Sequence, residues 1–176
     1  ASRVLSDLMP EYVQQVTAIE FEYSPGRSAA EYTDDQSAFD VYIAFQTLQG
    51  KRGFVGIEVK YHEDLKNPAA AHRPRYDEIA RLMNCFKLDR LEQLKQRPLQ
   101  QIWRDHLLAG SLQHTDRFET GFFGVLYPEG NLACANAIQA YSACLTNSAS
   151  FITWTLEEFC ATIKRHTRSL WIDAFV

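Results

Sequence analysis

The chain has 176 residues, 46% hydrophobic and 23% charged, the balance of an ordinary globular protein and enough for a single domain spanning 1–176. It holds no run of about 18 apolar residues, which excludes a transmembrane helix and a membrane partner of that kind. A net charge of −4 excludes a generally adhesive polycation.

The opening ASRVLSDLMP lacks the basic flank and apolar stretch of a signal peptide. It also begins without Met, so a processed chain, or one lacking the N-terminal segment of a longer protein, is expected. Cys85, Cys134, Cys144 and Cys160 show neither CxxC spacing nor a nearby His at zinc-finger spacing. Reduced thiols and a cytoplasmic location are the simplest expectation.

Leu5, Leu8, Met9, Tyr12, Val13 and Val16 recur at helical spacing, and Pro10 suits the first turn of a helix beginning near it. Residues 18–23 (AIEFEY) then alternate like a strand, and SPGRSAAEYTDDQS reads as a loop. Residues 38–46 (AFDVYIAFQ) and 53–61 (GFVGIEVKY) are two further strands joined by TLQGKR, a hairpin connection. Beyond Pro74, apolar spacing predicts helices around Ile79–Phe86 and Leu99–Leu107. A buried strand at 121–127, a helix at 131–145 and a short strand at 151–154 follow. Thr155 and Glu158 then form a capping box for a last helix to about His166, and WIDAFV closes the chain as a short edge element. The first three strands should form an antiparallel meander, and the later strand–helix–strand unit a right-handed parallel crossover. The expected fold is α/β: a mixed sheet with helices on both faces.

On the hairpin, Glu58 and Lys60 share one strand face. Centring the turn near Gly50 sets Asp40 opposite Lys60, with Glu58 its diagonal neighbour at cross-strand distances of roughly 5–8 Å. Two carboxylates at that range can share a hard cation such as Mg²⁺ or Mn²⁺. Gly56 on the same face should leave room for metal or substrate. A cation there would neutralise a scissile phosphate and polarise water, and Lys60 would orient the attacking water and stabilise developing charge. That is phosphodiester-cleaving chemistry. The bland alternative is an Asp40–Lys60 ion pair with Glu58 merely nearby, but charges on an otherwise apolar hairpin need a reason.

Asp40, followed after a hairpin by Glu58-Val59-Lys60 within GFVGIEVKY, resembles the PD-(D/E)XK nuclease superfamily, of restriction-endonuclease-like fold. The order of elements is similar to that family's αβββαβ core, with extra helices, in a three-layer α/β/α arrangement. The resemblance implies that Asp40 and Glu58 bind Mg²⁺ with help from the Val59 carbonyl, that Lys60 completes the site, and that DNA is the substrate, with RNA the second candidate. Phe39 replaces the family's Pro. Family members often add an early acid, a role open to Glu11, Glu20 or Glu22, and some carry a helical Gln, for which Gln100 and Gln101 are candidates without a Tyr four residues on. The alternative function is a catalytically silent module of the same fold that binds nucleic acid or protein. Cutting both strands of a duplex would favour a two-fold homodimer.

A second acid-x-Lys triplet, Asp64-Leu65-Lys66, falls in a polar loop with no strand to aim it and is set aside. His62, Glu63 and Arg27 are lesser candidates for substrate contact. Trp103, Trp154 and Trp171 are read as core rather than as base-stacking platforms. Residues 73–104 hold eight basic and four acidic side chains, a local surplus suited to phosphates in an otherwise acidic chain.

Overall fold

The computed structural model describes residues 1–62, 65 and 70–167. Glu63, Asp64, Lys66, Trp171 and the closing element expected at 171–176 lie outside them. The elements run α1 (Ser2–Leu8), β1 (Val13–Tyr23), β2 (Phe39–Thr47), β3 (Arg52–Val59), α2 (Pro74–Met83), α3 (Leu91–Leu94), α4 (Leu99–Thr115), β4 (Thr120–Tyr127), α5 (Leu132–Ser142), β5 (Phe151–Thr155) and α6 (Leu156–His166).

The five strands form one sheet in the order β1-β2-β3-β4-β5. β1, β2 and β3 are antiparallel neighbours. β4 and β5 add in parallel, with α4 and α5 in the crossovers. α2, α4 and α5 cover one face, where Trp103, Leu107, Phe123 and Tyr141 form the larger core. α1 and α6 cover the other through Leu5, Met9 and Phe159 against Ile43, Val55 and Phe122. This is the expected α/β/α architecture with a mixed central sheet. The Thr155–Glu158 capping box starts α6 as its sequence predicts.

β3 is the middle strand, and Phe54, Val55 and Ile57 on it are almost wholly buried. Coverage on both faces explains why GFVGI reads as a continuous apolar run rather than an alternation. Glu58 ends that run in a strand where burying a charge is costly.

Three local expectations are corrected. The helix does not begin near Pro10; α1 ends at Leu8, and Val13 and Val16 belong to β1, paired with Thr47 and Phe45. The apolar spacing of residues 5–16 runs across a helix and a strand, and pairing with β2 overrides the helical reading beyond Pro10. The hairpin register is also shifted: Val41 pairs with Ile57 and Gln46 with Arg52, so Asp40 comes level with Glu58 rather than Lys60. Gly50 takes the left-handed position (φ +76°) late in the turn instead of its apex. Finally, Gly56 leaves no open space. A Cβ there would come within 2.5 Å of the Phe39 ring, so this glycine serves aromatic packing.

Candidate active site

The register of the meander lines up three acids. Phe21 pairs with Val41 and Tyr23 with Phe39, which places Glu22 level with Asp40; Asp40 in turn is level with Glu58. Glu22 has a left-handed backbone (φ +51°) inside β1, a conformation costing a non-glycine residue about 1–2 kcal/mol. Such strain persists where the surroundings enforce it, and it clusters at functional sites. Glu22, Asp40 and Glu58 all line one pocket of about 400 Å³, closed on the helical side by Gln101, Arg104 and Asp105 of α4. Glu11 and Glu20 are not among its lining residues.

Asp40 accepts a hydrogen bond from the Val59 backbone N–H at 2.6 Å, which fixes β2 against the end of β3. Glu58 Oε1 accepts from Lys60 Nζ at 2.6 Å and from Gln101 Nε2 at 2.7 Å. Lys60 is only 9% exposed, and burial pulls its ammonium towards neutrality. The charge and hydrogen bond of Glu58, then Asp105 and Asp40, reverse this and hold its pKa above the usual lysine value. Lys60 pairs with Glu58 and not with Asp40, its partner in the bland alternative. Neither Val59 nor Lys60 lines the pocket itself; each acts on a carboxylate that does.

The two helical glutamines divide their work. Gln101 bonds Glu58, whereas Gln100 clasps Ala70, donating to its carbonyl and accepting from its N–H, both at 2.7 Å. That pair of hydrogen bonds ties Ala70 to α4, and Ala70 forms part of the pocket wall.

Several residues carry little signal in the sequence. Asp35 is buried beside the pocket and accepts from Thr33, from the Ser37 backbone and hydroxyl, from Tyr76 and from Arg104. These bonds fix Arg104, which also donates to the Ser37 hydroxyl at 2.8 Å. Asp105 is 5% exposed, and its Oδ2 has no hydrogen-bond partner. Burial, then the charge of Glu58, pushes its pKa well above the carboxylate range, while Arg104 and Lys60 pull the other way. Asp105 stands four residues after Gln101, which puts both on one helical face. That spacing was visible in the sequence; the burial was not.

The basic stretch is largely consumed within the chain. Arg73 pairs with Asp34, Arg75 with Glu78, and Lys95 with Asp77 and Glu92. Arg97 and Arg104 line the pocket from this stretch, and Arg27 joins them from the loop after β1. His62 stays exposed and is not a lining residue. Trp103 and Trp154 are core residues, and the four cysteines are free thiols. No helix among the described residues is long and apolar enough to cross a membrane.

Oxygen donors suit a hard cation, and Asp40 and Glu58 supply them at one pocket. Among the described residues no three His, Cys, Asp or Glu side chains converge to hold an ion by themselves. Two carboxylates are the kind of donor that Mg²⁺ or Mn²⁺ takes, the rest of the shell being left to water, backbone carbonyl or substrate phosphate.

The family model that matches the chain is described as the PD-(D/E)XK nuclease superfamily and covers residues 1–176. Among curated proteins and solved structures, nothing matches.

Proposed function

The chain belongs to the PD-(D/E)XK nuclease superfamily, and from that premise we propose that it is a Mg²⁺- or Mn²⁺-dependent nuclease hydrolysing DNA. The observation that carries this reading is the row of Glu22, Asp40 and Glu58 across three adjacent strands, opening on one pocket. Asp40 and Glu58 would hold the cation, with the Val59 carbonyl as a further oxygen donor and Glu22 as the early acid. Bound there, the ion supplies Lewis acidity and charge neutralisation at the scissile phosphate.

The chain's own residues do the rest. The Val59 N–H pins the Asp40 carboxylate, and Gln101 orients Glu58 from α4. Lys60, kept charged by its acidic neighbours, orients the attacking water and stabilises charge on the phosphate as it forms. Arg104, fixed by Asp35, and Arg27 offer guanidinium groups to the flanking phosphates. Two copies related by a two-fold axis would serve cleavage of both strands of a duplex.

The test is cleavage of plasmid and single-stranded DNA with Mg²⁺ or Mn²⁺. Wild type should cut, and Asp40→Ala and Lys60→Ala should each lose cutting by at least about a hundredfold. Equal cutting by wild type and variants overturns the assignment. The second reading, a silent module that binds without turnover, draws on the 2.6 Å Lys60–Glu58 contact, which occupies an oxygen a cation would need. Salt-sensitive DNA binding without metal-dependent cleavage would select it.

A further inference from the structure

Glu58 Oε1 carries two donors, and one of them, the Lys60 ammonium, is a positive charge where a cation would approach. A divalent cation that takes this oxygen displaces the ammonium, which then needs a second acceptor so as not to be stranded. An unpaired buried ammonium is costly, so another acceptor has to stand within reach.

Asp105 is the acid whose charge acts on Lys60 next after that of Glu58. It follows Gln101 by one turn of α4, on the helical face whose Gln101 touches Glu58. It lines the same pocket, it is buried, and its Oδ2 has no partner. Buried carboxylate oxygens in native proteins are rarely left without a donor, and one that is calls for a reason. Among the described residues Asp105 does not join Asp40 and Glu58 in a three-acid group that could hold an ion. Its charge is nevertheless felt by Lys60 more strongly than that of Asp40.

We propose that Asp105 is the alternative seat of the Lys60 ammonium: when Glu58 turns to a divalent cation, Lys60 passes from Glu58 to the unpartnered Oδ2 of Asp105. Asp105 is then a positioning residue. It frees Glu58 for the metal and keeps Lys60 charged beside the pocket. This inference rests on the metal reading above and goes beyond it by giving a role to an α4 acid outside the Asp40–Glu58–Lys60 set.

The test is Mn²⁺ titration by calorimetry of the full chain as wild type, Asp105→Asn, Lys60→Met and the double variant. Metal-free melting curves establish that each is folded, and Asp105→Ala replaces the amide variant if that one is not. Asp105→Asn should weaken Mn²⁺ binding by about tenfold, the scale of outer-sphere partners of metal ligands. In the Lys60→Met background the same change should shift affinity by less than about twofold, because no ammonium needs a second seat. Equal weakening in both backgrounds would show that Asp105 acts only through its charge and overturns the proposal, as does unaltered affinity in Asp105→Asn. If wild type binds no Mn²⁺, the metal reading falls and this inference with it; if wild type binds and Asp105→Asn matches it, this inference alone falls.

Discussion

Asp35 and Asp105 both act on the charge of the same arginine, Arg104, and expose almost the same small surface, 6% and 5%, yet the chain treats them in opposite ways. Asp35 is caged by donors from Thr33, Ser37, Tyr76 and Arg104. Burial alone would raise its pKa, but the bonds from Tyr76, Ser37 and Thr33 outweigh burial and bring it below the usual value. Asp105 is buried with Oδ2 unpartnered and a like charge, Glu58, nearby, and its pKa is raised. Burial therefore does not decide what a carboxylate is for. The donors around it do: a saturated acid is scaffold, and an unsaturated one beside a pocket is held in reserve.

The largest effect should come from breaking the cage. Asp35→Ala removes the carboxylate that the Arg104 guanidinium, the Tyr76 hydroxyl, Thr33 and Ser37 all donate to, and should cost about 3–5 kcal/mol in urea unfolding. A loss below about 1 kcal/mol would remove the contrast between the two acids.

Asp105→Asn should do the reverse. Without metal it should stabilise the fold by about 1–3 kcal/mol at pH 8, because the amide carries no charge for burial and Glu58 to oppose. The sign follows from linkage. A folded-state pKa above the unfolded value, about 3.9, means the native chain holds more protons, so the Asp105 contribution falls as pH rises through that window. The stability gap between Asp105→Asn and wild type should thus widen from pH 4 towards pH 8. For Asp35 the slope is opposite: its lowered pKa gives stability that is full above about pH 3.9 and lost as pH falls through the folded value. A gap that narrows with rising pH would refute the assignment of Asp105.

Smaller still is Tyr76→Phe, which deletes one donor of several to Asp35. It should cost about 1–2 kcal/mol by chemical denaturation, with Mn²⁺ binding unchanged. A loss matching that of Asp35→Ala would mean that one bond, not the set, holds the cage.

How much of this was legible in the sequence depends on range. The apolar runs at 38–46 and 53–61 predict both strands, and parity sets Asp40, Glu58 and Lys60 on one face, because side-chain direction is a local property. Register is not local in the same way. The glycine of the turn suggests its centre, but closure by Gln46 and Arg52 moves the pairing by two and gives Asp40 to Glu58. The cage around Asp35 joins residues from the loop after β1, α2 and α4, and no spacing in the sequence announces it. Asp105 falls between: its position on the face of Gln101 is read from helical period, but the absence of a donor is a fact of packing.

The strained backbone at Glu22 has one more consequence. β1 is an outer strand, eleven residues long, and Phe21 stands 74% exposed on it. A flat strand of that length and character would be a template on which further copies could stack. β1 is not flat: its pairing slips twice, between Val13 and Gln15 and between Val16 and Ala18, and the left-handed Glu22 bends its far end. The irregularity that brings an acid to the pocket also spoils the edge for a newcomer, so solubility and site geometry are served by the same few residues of an outer strand.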